Sequence, residues 1–153
     1  MQQGASSKNT TYDDDSVTPS VTLSVIVPSF NERENATEVV KRLHKVLEYI
    51  SWEVIFVDDD SPDGTSELIR RLARSDPRVR CIQRLGRRGL SSACVEGMLA
   101  SSAPFLAVMD ADLQHDEDPL PKMLEVLITE PVDLVVGSRY IEGDLPPGYR
   151  TPS

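Results

Sequence analysis

Two carboxylates one residue apart, Asp110 and Asp112, follow the apolar run 105–109. Alternate side chains of a strand project to the same side, so both carboxylates are predicted to point to one location just beyond the strand end. Like charges this close repel each other unless a cation lies between them. Gln114 adds a neutral oxygen at the same spacing, and oxygen ligands of this kind suit Mg²⁺ or Mn²⁺, which commonly bridge protein carboxylates to substrate phosphates. The alternative is a helix N-terminus that merely collects acidic residues, and this triplet fits both interpretations.

The composition is that of an ordinary globular domain with an acidic surface. The 153 residues are 39% hydrophobic and 27% charged, and the formal net charge is −9. This balance argues against a nucleic-acid partner, which needs a basic face, but not against a phosphate ligand held through a divalent metal. Two cysteines, Cys81 and Cys94, are too few for a disulfide framework and are expected to be buried free thiols. Together with the lack of a secretory signal pattern, they favour a cytoplasmic location.

Strand-like and helix-like patterns alternate along most of the chain. This alternation predicts an α/β fold with a mostly parallel sheet flanked by helices. Pro28 is expected to close the first strand, and Asn31 with Glu34 resembles a capping box at the start of the first helix. The predicted strands are 23–27, 52–57, 79–83, 105–109 and 134–136.

Polar clusters follow every predicted strand, and a parallel sheet would bring them to one edge. Ligands of such sheets bind beyond the carboxyl ends of the strands. We therefore expect one domain over residues 21–140, preceded by a disordered tail, 1–20, and followed by an irregular tail, 141–153, in which the chain is truncated. The clusters are 29–32, 58–63, 84–89, 110–114 and 138–139.

Four of these segments together resemble family-2 glycosyltransferases. The segments are 27–35 (VPSFNEREN), 57–65 (VDDDSPDGT), 109–115 (MDADLQH) and 137–140 (GSRY). The likeness is strongest to dolichol-phosphate mannose synthases and related polyprenyl-phosphate glycosyltransferases, and it covers roughly residues 23–140. Four ordered motifs are far more specific than a single acidic pair.

The resemblance implies a Rossmann-like GT-A fold, incomplete at the carboxyl end, and a metal-dependent inverting transfer of a hexose. The expected donor is a nucleotide sugar, GDP-mannose, and the expected acceptor is a polyprenyl or dolichyl phosphate. The cofactor would be Mg²⁺ or Mn²⁺. The oligomeric state is left open.

The resemblance also implies roles for individual residues. Those expected to line the nucleotide pocket are Pro28, Phe30 and Glu32, with Val57 and Asp59 flanking the base and ribose. Those expected to meet the diphosphate and metal are Asp110, Ala111 and Asp112, with Gln114 as a further metal ligand and Arg139 holding phosphate. Asp110, Asp112 and Arg139 are therefore the candidate catalytic residues.

Two positions depart from the family pattern. Asp60 stands where the family usually has glycine, and it would be the costlier residue if that site requires a positive φ. Ser91 stands where a further glycine often follows Gly89-Leu90. The basic residues of segment 84–89 leave two interpretations open: a solvated surface, or peripheral contact with a lipid phosphate or an anionic membrane.

Two other functions compete with sugar transfer. A sugar nucleotidyltransferase also combines an α/β sheet with carboxylate-bound Mg²⁺, but it normally has a glycine-rich loop after the first strand, where this chain has Ser29-Phe30-Asn31-Glu32. A truncated, non-catalytic fragment that only binds nucleotide is the other. A dinucleotide oxidoreductase is disfavoured because no G-x-G-x-x-G follows the first strand.

Overall fold

A computed structural model describes residues 21–114 and 117–137 of the chain. Within these ranges, four strands alternate with four helices, as the sequence pattern predicts. The predicted tails 1–20 and 141–153 lie outside the described residues. The elements are β1 (Leu23–Ser29), α1 (Arg33–Val46), β2 (Trp52–Asp58), α2 (Thr65–Ser75), β3 (Val79–Gln83), α3 (Leu90–Leu99), β4 (Phe105–Val108) and α4 (Leu120–Thr129).

The four strands form one parallel sheet in the order β3-β2-β1-β4. Val25 of β1 pairs with Val54 of β2 and, on its other side, with Ala107 of β4. Because all strands run in the same direction, the loops that follow them share the carboxyl edge of the sheet. The fold therefore places the predicted polar clusters after β1, β2, β3 and β4 along one edge.

Both faces of the sheet are covered by helices, which explains the continuous apolar runs in β1 and β2. Val39 and Leu43 of α1 pack with Val25 and Phe56 on one face. On the other face, Ala93 of α3 belongs to a cluster with three β1 and β2 residues. The residues of that cluster are Ile26, Ile55, Val57 and Ala93.

The close approach of α3 to the sheet depends on Gly97. A Cβ atom at this position would lie 2.4 Å from Cγ2 of Ile26 and 3.0 Å from Cγ2 of Val57. Any larger residue would push the helix away from the strands. Gly97 thereby sets how closely the C-terminal half of α3 packs on β1 and β2.

Pro28 does not close the first strand, which continues to Ser29. Alternate residues of a central parallel strand bond to opposite neighbours. The carbonyl oxygen of Ile26 accepts the N–H of Met109, so Ile26 bonds on the side of β1 that faces β4. Pro28 lies two residues later and faces the same side, but β4 has already ended at Val108. Its missing N–H therefore costs no bond in the sheet.

The fifth predicted strand is wrong for the described residues. Residues 134–136 pair with no strand of the sheet, and Leu134 and Val136 are 77% and 74% exposed. An apolar, β-branched run shows strand propensity, but a strand forms only where a neighbouring edge supplies hydrogen bonds. None of the described helices is both long and apolar enough to span a membrane.

Candidate functional site at the carboxyl edge of the sheet

The loop after β2 is built around Asp58, whose side chain is fully buried. Its Oδ2 accepts hydrogen bonds from the backbone N–H of Ser61 at 3.0 Å and from Oγ of Ser66 at 2.6 Å. A buried carboxylate needs such donors to offset its lost hydration. Asp58 therefore holds the shape of the loop and does not face the edge.

The same loop receives the first turn of α1. The N–H groups of Asn31, Glu32 and Arg33 donate to side-chain oxygens of the β2–α2 loop at 2.9, 3.1 and 3.3 Å. The oxygens are Ser61 Oγ, Thr65 Oγ1 and Asp63 Oδ2. The N-terminus of α1 is thus satisfied from across the sheet edge.

The prediction of a capping box formed by Asn31 and Glu34 is wrong, because the side chains of the β2–α2 loop bond to these N–H groups instead. Asn31 has φ of 58°, in the left-handed region, and the N-cap residue is Glu32. Oε2 of Glu32 accepts a hydrogen bond from Nδ2 of Asn35 at 2.8 Å. Glu32, expected in the nucleotide pocket, lies at the start of α1 with this intrahelical bond.

Asp60 occupies a left-handed backbone conformation, with φ of 56°. The family usually has glycine at this position, and the sequence predicts that aspartate is the costlier residue there if the backbone requires a positive φ. Oδ1 of Asp60 accepts a hydrogen bond from Nε2 of Gln83 at 2.7 Å. Aspartate is among the few non-glycine residues that tolerate this conformation.

Asp59 and Arg84 form a buried ion pair that links the loops after β2 and β3. Nε of Arg84 donates to Oδ1 of Asp59 at 2.6 Å, and the N–H of Gly89 donates to Oδ2 at 2.8 Å. Burial raises the pKa of Asp59, but the bonds from Arg84 and Gly89 outweigh burial and lower the pKa from its usual value. The hydrogen bond to Asp59 raises the pKa of Arg84.

Arg84 is the functional residue that the sequence pattern missed. It is only 1% exposed, so neither a solvated surface nor a lipid-phosphate contact describes it. Its guanidinium also donates to Gly89 O at 2.9 Å and to Oγ of Ser92 at 2.8 Å. Opposite charges one residue beyond neighbouring strands, at Asp59 and Arg84, are the signal that could have identified the pair.

A cavity of about 280 Å³ opens beside this ion pair, between the ends of β1 and β2 and the first turn of α3. The guanidinium of Arg88 lies over the ring of Phe30, 4.6 Å from its centre. Such a cation over an aromatic face leaves the N–H donors in the guanidinium plane available to a ligand. The lining residues are Pro28, Ser29, Phe30, Asp59, Arg88, Gly89, Leu90 and Ala93.

Three of the predicted nucleotide-pocket residues, Pro28, Phe30 and Asp59, line this cavity. Val57 does not; its side chain is fully buried in the cluster beneath α3. Phe30 remains partly exposed at the cavity, which separates it from the core aromatic Phe56. The sequence-predicted pocket and the observed cavity therefore coincide in part.

The predicted metal-binding segment lies on the loop after β4. Asp110 is exposed, and Ala111 packs into the core on the α1 side of the sheet. Oδ1 of Asp112 accepts the N–H of Gln114 at 3.0 Å. Leu113 has φ of 59°, so the chain turns sharply between the two polar residues.

Asp110 lies at the same edge of the sheet as the cavity, because it follows β4 and β4 pairs with β1. Burial raises the pKa of the Cys94 thiol, and the negative charge of Asp110 raises it further. Cys94 follows Ala93, which lines the cavity. The Asp110 carboxylate is therefore within electrostatic range of α3, the helix whose first turn lines the cavity.

The donor set fits a divalent cation only in part. Asp110 and Asp112 supply hard oxygens, as Mg²⁺ and Mn²⁺ prefer, and Gln114 is exposed on the same turn. Within residues 21–114 and 117–137, no group of three or more acidic, histidine or cysteine side chains surrounds one point. A cation held here would complete its coordination with ligand phosphates or water. Arg139 lies outside the described residues and stays a prediction.

Comparison with known proteins places this architecture in a family. Residues 24–153 match the family described as Glycosyl transferase family 2. The dolichol-phosphate mannosyltransferase of Pyrococcus furiosus is 43% identical over 121 residues, which are 79% of this chain and 34% of that protein. The dolichol-phosphate mannosyltransferase of Saccharomyces cerevisiae is 39% identical over 127 residues, covering 81% of this chain and 47% of that protein. The chain thus spans about a third to a half of these relatives.

Solved structures agree. A Pyrobaculum calidifontis mannosyltransferase in complex with GDP-Man and Mn²⁺ superposes with a TM-score of 0.62 at 28% identity, covering 71% of this chain and 32% of that one. The glucosyl-3-phosphoglycerate synthase of Mycobacterium tuberculosis, solved with Mn²⁺ and UDP, shares the fold, with a TM-score of 0.56 at 23% identity, 71% of this chain and 40% of that one. The expected GT-A fold is confirmed. Since the family match runs from β1 through the whole carboxyl edge, the chain belongs to glycosyl transferase family 2.

Proposed function

We propose that this chain forms the donor-binding part of a metal-dependent inverting glycosyltransferase, which transfers mannose from GDP-mannose to a polyprenyl or dolichyl phosphate. The observation that carries the proposal is that the cavity, at the ends of β1 and β2, and Asp110, which follows β4, lie at the same edge of one parallel sheet. Relatives named dolichol-phosphate mannosyltransferase support the sugar and the acceptor. The neighbour that contains GDP-Man and Mn²⁺ supports the donor and the metal.

In this proposal, the cavity takes the nucleoside of the donor. Phe30 offers an apolar surface and Arg88 offers donors to polar groups of the ligand. Both carboxylate oxygens of Asp59 already accept bonds from the loop 84–89, so the ion pair fixes the wall of the cavity before ligand arrives. Preorganised walls lower the entropic cost of binding.

Asp110 and Asp112 would hold the cation, with Gln114 as a further oxygen ligand and Arg139 as a contact to phosphate. A bound divalent cation neutralises charge on the departing nucleoside diphosphate. The acceptor is itself a phosphate and is anionic at neutral pH, so the reaction needs no strong general base. The two aspartates are therefore assigned to the cation and not to proton transfer. We place the reaction at the cytoplasmic face of a membrane, where a lipid acceptor resides.

Donor-dependent stabilisation tests the proposal. GDP-mannose is expected to raise the melting temperature only in the presence of Mn²⁺ or Mg²⁺, and UDP-glucose less so. Asp112→Asn should abolish the metal-dependent part of the shift, whereas Asp133→Asn, an exposed control outside the edge, should retain it. A shift that is unchanged in Asp112→Asn would refute the metal assignment.

Transfer is measured separately, with radiolabelled GDP-mannose and a polyprenyl phosphate in detergent. A labelled lipid product that disappears in Asp110→Asn supports the full proposal. Donor binding without any product supports instead a nucleotide-binding segment that is not catalytic by itself. The chain spans only 34% and 47% of the length of the two mannosyltransferases, which is the observation that favours this second outcome.

A further inference from the structure

A second cavity, of about 390 Å³, lies along α1 and has no lining residue in common with the first. Helix α1 packs on the face of the sheet opposite to α3, whose first turn lines the proposed donor pocket. Its walls carry three basic and three acidic side chains. The lining residues are Glu38, Lys41, Arg42, Lys45, Val46, Glu117 and Asp118.

Glu117 is the unusual member of this set. It is 4% exposed, and its Oε1 has no hydrogen-bond partner within the described part of the chain. Oε2 lies 3.6 Å from Nη1 of Arg42, whose Nε already bonds to Oε1 of Glu38 at 3.2 Å. A buried carboxylate oxygen without a donor is costly and calls for a partner. The last torsion of a glutamate is broad, so a small rotation presents this oxygen to a ligand in the cavity.

Two lysines complete the binding chemistry. Lys41 and Lys45 are one helical turn apart on α1, and both line the cavity. Among the ion pairs of residues 21–114 and 117–137, none involves either of them. A ligand that satisfies the site therefore carries negative charge for the lysines and a hydrogen-bond donor for Glu117.

We propose that this cavity is a binding site for a phosphomonoester in its monoprotonated form. The P–OH group would donate to Oε1 of Glu117, and the anionic oxygens would accept from Lys41 and Lys45. The second pKa of a phosphomonoester is about 6, so the protonated form is abundant in mildly acidic to neutral solution. A soluble phosphorylated polyol and the headgroup of a lipid phosphomonoester present the same chemistry.

Sulfate provides the discriminating probe, because it has the size and tetrahedral shape of phosphate but is a dianion that carries no proton near neutral pH. Its higher charge favours the lysines, so tighter binding of phosphate would report the proton. We expect calorimetry at pH 6 to show inorganic phosphate and glycerol 3-phosphate binding at least about tenfold more tightly than sulfate, since a hydrogen bond to a charged group is at stake. Glu117→Gln should remove this preference, because an amide N–H donates to both anions. Lys41→Ala with Lys45→Ala should weaken all three ligands about tenfold or more.

Two control variants separate this site from its surroundings. Lys122→Ala removes an exposed lysine of α4 that pairs with Glu125, and it should bind as the unchanged chain does. Arg88→Ala alters the donor cavity and should leave phosphate binding intact. GDP-mannose binding should likewise survive the Lys41→Ala, Lys45→Ala change, so this proposal and the proposed function fail independently.

Vesicles distinguish the two sources of the ligand. Co-sedimentation with phosphatidic acid, a monoester, but not with phosphatidylglycerol, a diester without P–OH, would assign the site to a lipid headgroup. Binding of glycerol 3-phosphate without vesicle binding would assign it to a soluble ester, and both results support the site. Three results would overturn the proposal. The first is equal affinity for sulfate and phosphate, and the second is no detectable binding at about 10 mM phosphate. The third is phosphate binding that is lost only in Arg88→Ala.

Discussion

Replacing Arg84 by methionine is expected to lower the free energy of unfolding by about 3–5 kcal/mol, the usual cost of breaking a buried ion pair. The change removes donors to Asp59, Gly89 and Ser92, and it leaves the buried carboxylate with the N–H of Gly89 as its remaining donor in the loop. Methionine keeps most of the apolar volume, so the loss reports the charge and its hydrogen bonds. The cost is a large share of the roughly 5–15 kcal/mol that stabilises a typical domain.

Urea unfolding followed by circular dichroism measures this cost, and the slope of the transition should stay constant. The matched control is Arg87→Met, three residues away. Arg87 is also paired with a carboxylate, Glu96, at 3.0 Å, but its side chain is 63% exposed. Solvent screening limits such a pair to about 0–1 kcal/mol.

A double variant tests the reason for the loss. Asp59→Asn keeps an acceptor for the N–H of Gly89 but removes the charge, so combining it with Arg84→Met should cost less than the sum of the single changes. Equal small losses in the free energy of unfolding for Arg84→Met and Arg87→Met would contradict a structural role of the buried ion pair. Additive losses for the changes at Asp59 and Arg84 would contradict it as well.

Two further predictions concern packing and pH. Gly97→Ala should destabilise the chain by about 1–3 kcal/mol in the same unfolding assay, because its Cβ would clash with Ile26; Ser91→Ala, on the exposed side of α3, should change stability by less than about 0.5 kcal/mol. Stability should also fall as the pH drops below about 4, because three aspartates have pKa values below the usual 3.8: burial opposes their ionisation, but hydrogen bonds outweigh it. A carboxylate whose pKa is lower in the folded chain than in the unfolded chain stabilises the fold at pH values above its unfolded pKa. This stabilisation is lost as the carboxylate becomes protonated in the folded chain. Equal urea midpoints at pH 6 and pH 2.5 would therefore contradict the lowered pKa values. The three carboxylates are Asp59, Asp63 and Asp76.

The order of strands and helices was determined by the sequence itself. A strand covered on both faces is mostly apolar, and the runs at 23–27 and 52–57 show that pattern locally, with Ser24 and Glu53 as the exceptions. The helical spacing of Val39, Val40 and Leu43 likewise predicts the buried face of α1. From the alternation of such elements, a parallel sheet with one ligand-binding edge follows, and so does the position of the polar clusters along that edge.

Only the tertiary structure decided how neighbouring acidic residues divide their roles. Asp58 turns into the loop and Asp59 meets Arg84, a partner supplied by a different strand. Asn31 loses its expected capping role because the β2–α2 loop supplies the acceptors from across the edge. Propensity and spacing describe a residue and its chain neighbours, whereas burial, ion pairing and sheet pairing depend on partners brought from far along the chain. For the same reason, the apolar run 134–136 could not be identified as unpaired before the sheet was seen.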